Sequence, residues 1–194
     1  MKNKGFKTEL ELLEHLKANE KKAITFLTLS GEKEKVTVNN YHHFGHGTKT
    51  KTDIVINNNY RLQVKDTNSN RATIINMVPL RNWEILAKRE LIDILPVLNA
   101  IEKHKEKKKY TVKLKDIANK QDWQELLLYF LFEGTSTYQA DPFFQANYLV
   151  EKVNGEWLLI KKNEAIDYIW EKLTFEIRTR ANKTEPCVHV RVGK

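Results

Sequence analysis

Apolar residues recur along this chain at two spacings, and the switches between them mark out its elements. Leu10, Leu13 and Leu16 fall three apart between Thr8 and Ala18, which predicts a helix capped by Thr8 with Glu11 as capping-box partner. Ala23 to Leu29 reads as a strand, Ser30-Gly31-Glu32 as a turn, and Lys35 to Tyr41 as a second strand alternating through Val36 and Val38. Two short apolar strands then flank the Asn57-Asn58-Asn59 turn. A long helix is expected from about Asn82 to His104, with Pro96 kinking or dividing it near Asp93. Tyr110 to Leu114 reads as a strand and Gln121 to Glu133 as an apolar helix ending at Gly134. Asn147 to Val153 and Glu156 to Ile160 read as a hairpin turned by Asn154-Gly155. A helix from Glu164 to Lys172 and strands from Phe175 to Arg180 and Val188 to Val192 close the order. The expected class is α/β in the broad sense, more strictly α+β. A mixed sheet flanked by helices occupies 1–120, and a hairpin-rich elaboration for recognition or dimerisation occupies 121–194, the two forming one compact domain.

The hairpin at 53–65 fixes its own register. Ile54 and Ile56 alternate with Asp53, Val55 and Asn57, and Leu62 and Val64 alternate with Arg61, Gln63 and Lys65. Keeping the four apolar residues on one face requires paired residue numbers of even sum, because a one-residue slip turns every side chain over. Pairing Ile56 with Tyr60 meets this, sets Asp53 opposite Gln63 and leaves Lys65 on the same face. Asn tolerates positive φ, so a three-residue loop with one left-handed residue suits the turn. A carboxylate, an amide and an ammonium thus converge, which is an arrangement able to cleave a phosphodiester.

Composition admits a nucleic-acid partner. The 194 residues include 33 Lys and Arg against 25 Asp and Glu, a net charge of +8. Lys and Arg contacts to phosphate dominate non-specific DNA affinity. Hydrophobic residues at 41% suffice for a core, and a single cysteine, Cys187, excludes an internal disulfide framework and suits a reducing compartment. No apolar run reaches transmembrane length and no apolar segment follows Met1, so a cytoplasmic protein without membrane contact is expected. His42, His43 and His46 raise a zinc reading, which the lack of a nearby cysteine and fourth ligand disfavours. Gly45 to Thr52 is not a P-loop, because no Gly-Lys-Ser/Thr element is present.

Asp53, a hairpin, then Gln63-Val64-Lys65 resembles the PD-(D/E)XK nucleases, which include most type II restriction endonucleases. The Gly45-His-Gly-Thr-Lys-Thr-Lys-Thr52 approach is similar to their lead-in. Thr52 stands at the family's Pro and Gln63 at its second acidic position. The resemblance covers roughly residues 8 to 80. It implies a restriction-endonuclease-like core and a metal-dependent endodeoxyribonuclease acting on double-stranded DNA. Mg²⁺, with Mn²⁺ as substitute, would be held by Asp53, the Gln63 side-chain oxygen and the Val64 carbonyl. Glu11 or Glu14 on the first helix is the candidate to complete the shell. Lys65 would orient or deprotonate the attacking water. With Gln63 neutral, one ion is expected rather than two.

DNA contacts are expected from His46, Lys49 and Lys51 on the approach loop, and from Asn68, Asn70 and Arg71 after the hairpin, residue types suited to base edges. Lys107, Lys108 and Lys109 are candidates for phosphate, against the plainer reading of a solvated helix end. Tyr138 to Phe144 is a weaker candidate for a groove-entering loop. A homodimer is expected for a symmetric target, with a monomer the alternative. The competing readings are a structure-directed nuclease for junctions or transposon ends, and a non-catalytic DNA-binding module on a degenerate nuclease fold.

Overall fold

The computed structural model describes residues 4–44, 50–66, 72–79, 95–104, 109–133, 144–178 and 187–192. The fold mixes helices with two sheets, as the α+β pattern predicts. Contacts gather the chain into two units, 1–69 with 131–165 and 70–130 with 166–194. The division follows the two sheets rather than a single point near residue 120.

In the first unit helix α1 (Lys4–Ala18) begins four residues ahead of the expected cap, so Thr8 lies inside it and is buried. The buried stripe is Thr8, Glu9, Leu12 and Leu16, whereas Leu10 and Leu13 are half-buried. Steps of four and three follow the 3.6-residue turn, while a strict step of three drifts around the cylinder. The strands are β1 (Ala23–Leu27), β2 (Lys33–Thr37), β3 (Tyr41–His43), β4 (Ile54–Ile56) and β5 (Tyr60–Val64). They form a seven-stranded sheet with β8 (Tyr148–Val153) and β9 (Glu156–Lys161), in the order β2-β1-β9-β8-β5-β4-β3. The β8–β9 hairpin turns on left-handed Asn154 and Gly155 as its sequence predicts, with φ of 51° and 88°. Its place is the centre of the sheet, parallel to β1 on one side and to β5 on the other. Asn147 ties it to the first hairpin. Its Oδ1 accepts from the Arg61 N–H at 2.7 Å, and its Nδ2 donates to the Asn59 carbonyl at 2.9 Å. One face of this sheet packs Ile24, Phe26, Val36, Ile54, Leu62 and Val64 with Leu12 and Leu16 of α1. Burying each such side chain contributes roughly 1.5–3 kcal/mol.

The second unit holds an antiparallel sheet in the order β6-β11-β10-β7, from β6 (Ala72–Pro79), β7 (Lys109–Lys113), β10 (Leu173–Arg178) and β11 (Cys187–Val192). β6 has no counterpart among the expected elements. Helix α2 (Leu95–His104) carries Pro96 in its first turn, where the missing N–H breaks no helical bond. The expected helix over 82–94 lies outside the described residues. Helix α3 (Lys120–Leu128) starts from Asn119, whose side chain accepts from the Gln121 N–H at 3.0 Å, and runs into a wider π-type turn at Tyr129–Glu133. Helix α4 spans Lys162–Trp170.

Sheet register sets Glu176 among cations in this unit. Its carboxylate lies 2.6 Å from Arg178 Nε, 3.3 Å from Lys109 Nζ and 3.7 Å from an Arg191 terminal nitrogen. Burial pushes the Glu176 carboxyl up, but Arg191, Lys109 and Arg178 together hold it below its ordinary 4.5. A carboxyl depressed in the folded state stabilises the fold above its unfolded value, and that contribution is lost as pH falls through the folded one. Glu176→Gln is therefore expected to melt below the wild type at pH 7, with the gap closing below about pH 4. Parallel melting curves across that range check this, and a constant gap would contradict the ion-pair account.

Candidate active site

The hairpin adopts the register that parity requires, with Ile56 opposite Tyr60, Val55 opposite Arg61 and Ile54 opposite Leu62. Two of the turn asparagines are left-handed rather than one, Asn57 at φ 52° and Asn58 at 62°. Asn57 also anchors the turn from outside. Its Oδ1 accepts the N–H groups of Asn39 and Asn40 at 2.9 and 3.2 Å, and its Nδ2 donates to the Thr37 carbonyl at 2.6 Å.

Asp53 sits at the mouth of this hairpin. Its N–H donates to the Leu62 carbonyl at 2.8 Å, and its own carbonyl accepts from the Phe44 N–H at 3.0 Å. Its side chain then takes the place of a ladder partner. Asp53 Oδ2 accepts the Val64 N–H at 2.7 Å and the Gln63 Nε2 at 2.6 Å. Backbone N–H and C=O of one strand residue leave on the same side, so the Val64 carbonyl also faces the Asp53 side of β5. Lys65 is held by its N–H, which donates to the Val150 carbonyl of β8 at 2.9 Å.

Burial pushes the Asp53 carboxyl up and the neighbouring Glu9 carboxylate adds to this, while Lys65, the Val64 N–H and the Gln63 amide pull it back without cancelling the rise. Lys51 is driven down to about 8, chiefly by burial and then by Lys65, with Asp53 opposing. Its N–H donates to the Phe144 carbonyl at 2.8 Å, so this lysine is built into the site wall.

The helix carboxylate at this site is Glu9. It lies on the buried stripe of α1, within electrostatic reach of Asp53, and its Oε1 is 2.5 Å from His43 Nε2. Glu11 and Glu14 are turned elsewhere. Glu11 Oε2 accepts from Lys152 Nζ at 2.8 Å and Oε1 lies 3.6 Å from Lys7, and both glutamates line a groove with His15 and Trp157. The signal for Glu9 was its spacing of three and seven from Leu12 and Leu16, the apolar stripe itself. His43 carried no such signal, since its partner lies 34 residues away in sequence.

The other expected contacts fall differently. Lys109 stands in the second unit beside Glu176, and His42 packs edge-on against Phe44. His46, Lys49, Asn68, Asn70, Arg71, Lys107 and Lys108, and the loop at 138–143, lie outside the described residues. The backbone of Cys187 begins β11. No described helix is long and apolar enough to cross a membrane.

Among the described residues no group of three or more His, Cys, Asp or Glu side chains is arranged to hold a metal. The donors gathered at Asp53 are of another kind: one carboxylate, one amide and one backbone carbonyl. Hard Mg²⁺ accepts such oxygens, keeps several waters and needs only one or two carboxylates. Both described bonds to the Asp53 side chain fall on Oδ2, and its raised pKa marks a negative charge that a cation would stabilise. The donor chemistry fits, on one condition. Gln63 presents its amide nitrogen to Asp53, so presenting oxygen to a shared cation requires the amide to turn over. No protein-family model, no curated protein and no solved structure matches this chain.

Proposed function

We propose that this chain is a Mg²⁺-dependent endonuclease for double-stranded DNA, of the PD-(D/E)XK kind, working in the cytoplasm as a homodimeric restriction enzyme. The observation that carries the reading is the hairpin register that sets the Gln63 amide on Asp53, with the Lys65 charge within electrostatic reach of that carboxylate. Mg²⁺ bound there would polarise the scissile phosphate and lower the pKa of a bound water. Asp53 would hold it through the carboxylate oxygen not engaged by β5, helped by the Val64 carbonyl and a reoriented Gln63. Lys65 would orient the attacking water and counter the charge growing on the phosphate oxygens as the new P–O bond forms and the ester bond breaks. The Glu9–His43 pair would fix the helix against the site.

One observation favours a second reading, a DNA-binding module without catalysis: Gln63 turns its amide nitrogen rather than its oxygen to Asp53. Incubation of plasmid and phage DNA with Mg²⁺, with Mn²⁺ and with chelator separates the two. Discrete metal-dependent fragments are expected of a restriction enzyme. Cutting confined to branched or end-structured substrates would move the assignment to a structure-directed nuclease. Binding without cutting on every substrate would leave the non-catalytic module.

A further inference from the structure

The net positive charge is unevenly shared. Residues 70–130 and 166–194 contain 18 Lys and Arg against 12 Asp and Glu, and the rest of the chain 15 against 13. The second unit therefore carries +6 of the chain's +8, although the candidate catalytic residues all belong to the first.

Sheet register places much of that charge on one face. Residues directly opposite one another share a face, so Lys109 aligns with Arg178, Thr111 with Glu176 and His189, and Lys113 with Thr174 and Arg191. The opposite face carries Val112, Phe175, Ile177, Val188 and Val190, of which the last four are buried; on the polar face Glu176 and His189 are buried as well, so that face is open along its β7 edge. Lys109, Thr111 and Lys113 are exposed on β7, an edge strand. Four residues of antiparallel strand separate the two lysines by about 13 Å. That is close to four base steps at about 3.4 Å per step.

We propose that the β7 edge of the second sheet's polar face, through Lys109, Lys113 and Arg178, binds the phosphate backbone of duplex DNA. Glu176 is the positioning residue. Its buried carboxylate holds both guanidinium groups and the Lys109 ammonium as an ordered set on three strands. Three cations around one carboxylate, with Lys113 further along β7, leave the face with surplus positive charge. The unit then supplies sequence-independent anchoring while the first unit supplies the chemistry. The choice of DNA as the polyanion rests on the function proposed above. A plainer role exists for lysines on an edge strand, which deter edge-to-edge pairing of sheets.

The test is equilibrium binding of a blunt 30-base-pair duplex to the full chain in chelator, over a series of salt concentrations. Each phosphate contact contributes about 0.9 to the slope of log K against log salt. Lys113→Gln, which leaves the Glu176 cluster intact, is expected to reduce that slope by about 1, and Lys109→Gln/Lys113→Gln by about 2. Lys33→Gln/Lys35→Gln, exposed on β2 of the first unit, should leave it unchanged. An unchanged slope in both second-unit variants, or an equal fall in the β2 control, overturns the assignment. Aggregation of the second-unit variants at unchanged slope overturns it in favour of edge protection. The slope changes without any metal-dependent cutting would uphold this surface and discard the nuclease. Cutting by wild type with no slope change would do the reverse.

Discussion

Asp53→Asn is expected to lower Mg²⁺-dependent cleavage of DNA by about three orders of magnitude while leaving the fold near its wild-type stability. The substitution separates two roles of one side chain. As a hydrogen-bond acceptor for the Val64 N–H and the Gln63 amide, Asp53 needs only one oxygen, because both bonds fall on Oδ2. The asparagine oxygen can take both, so the end of β5 stays tied. As the proposed ligand for a hard cation, however, the carboxylate would supply the only charge in the donor set. Losing several kcal/mol of metal-dependent stabilisation corresponds to about 10³-fold or more in rate. Lys65→Ala, assayed beside it, should cost about 10²–10⁴-fold if the ammonium orients water. Single-turnover cleavage of a plasmid, with melting curves of the same preparations, reads both roles. Cleavage that survives in both variants removes the hairpin from the chemistry.

The part of this site that could be read beforehand depended on period two. Four apolar residues on two short strands admit one register, and that register alone brings Asp53 opposite Gln63. The Asn154-Gly155 turn is legible by another local rule, the ease with which Asn-Gly takes positive φ. Position within the sheet obeyed no local rule. Nothing in the alternation of β8 and β9 announces that they lie between β1 and β5, because neighbours in a sheet are chosen by long-range packing. The helix carboxylate escaped for a related reason. A stripe read at a strict three-residue step pointed to Leu10 and Leu13, whereas the helix starts at Lys4 and turns Glu9, Leu12 and Leu16 inward. A glutamate on a buried face is costly unless partnered, and its partner His43 comes from another element altogether. The cation ring around Glu176 was equally hidden, since Lys109, Arg178 and Arg191 meet only through the pairing of β7, β10 and β11.

Because the site hangs on β5, the strand's inward residues should govern stability more than its polar ones do. Leu62 is fully buried, paired across to Ile54 and Tyr148, and packed in the core that includes Leu12, Leu16 and Trp157. Leu62→Ala removes a branched side chain from a site walled by two strands and a helix, which have little freedom to collapse into the space. The expected loss is about 2–5 kcal/mol, transfer and cavity terms together. Leu29→Ala is the comparison, since Leu29 is 40% exposed and its truncation should change stability by less than about 0.5 kcal/mol. Urea unfolding followed by the fluorescence of Trp157, with the other three tryptophans replaced by Phe in both proteins, reports on this core. The bonds from the Asp53 N–H to the Leu62 carbonyl and from the Val64 N–H to the Asp53 carboxylate do not involve the deleted atoms, so Leu62→Ala at low temperature and low urea should still cut DNA. A leucine truncation that cost under about 1 kcal/mol would mean that β5 is not packed against α1 as described, and the positions of Gln63 and Lys65 would lose their support with it.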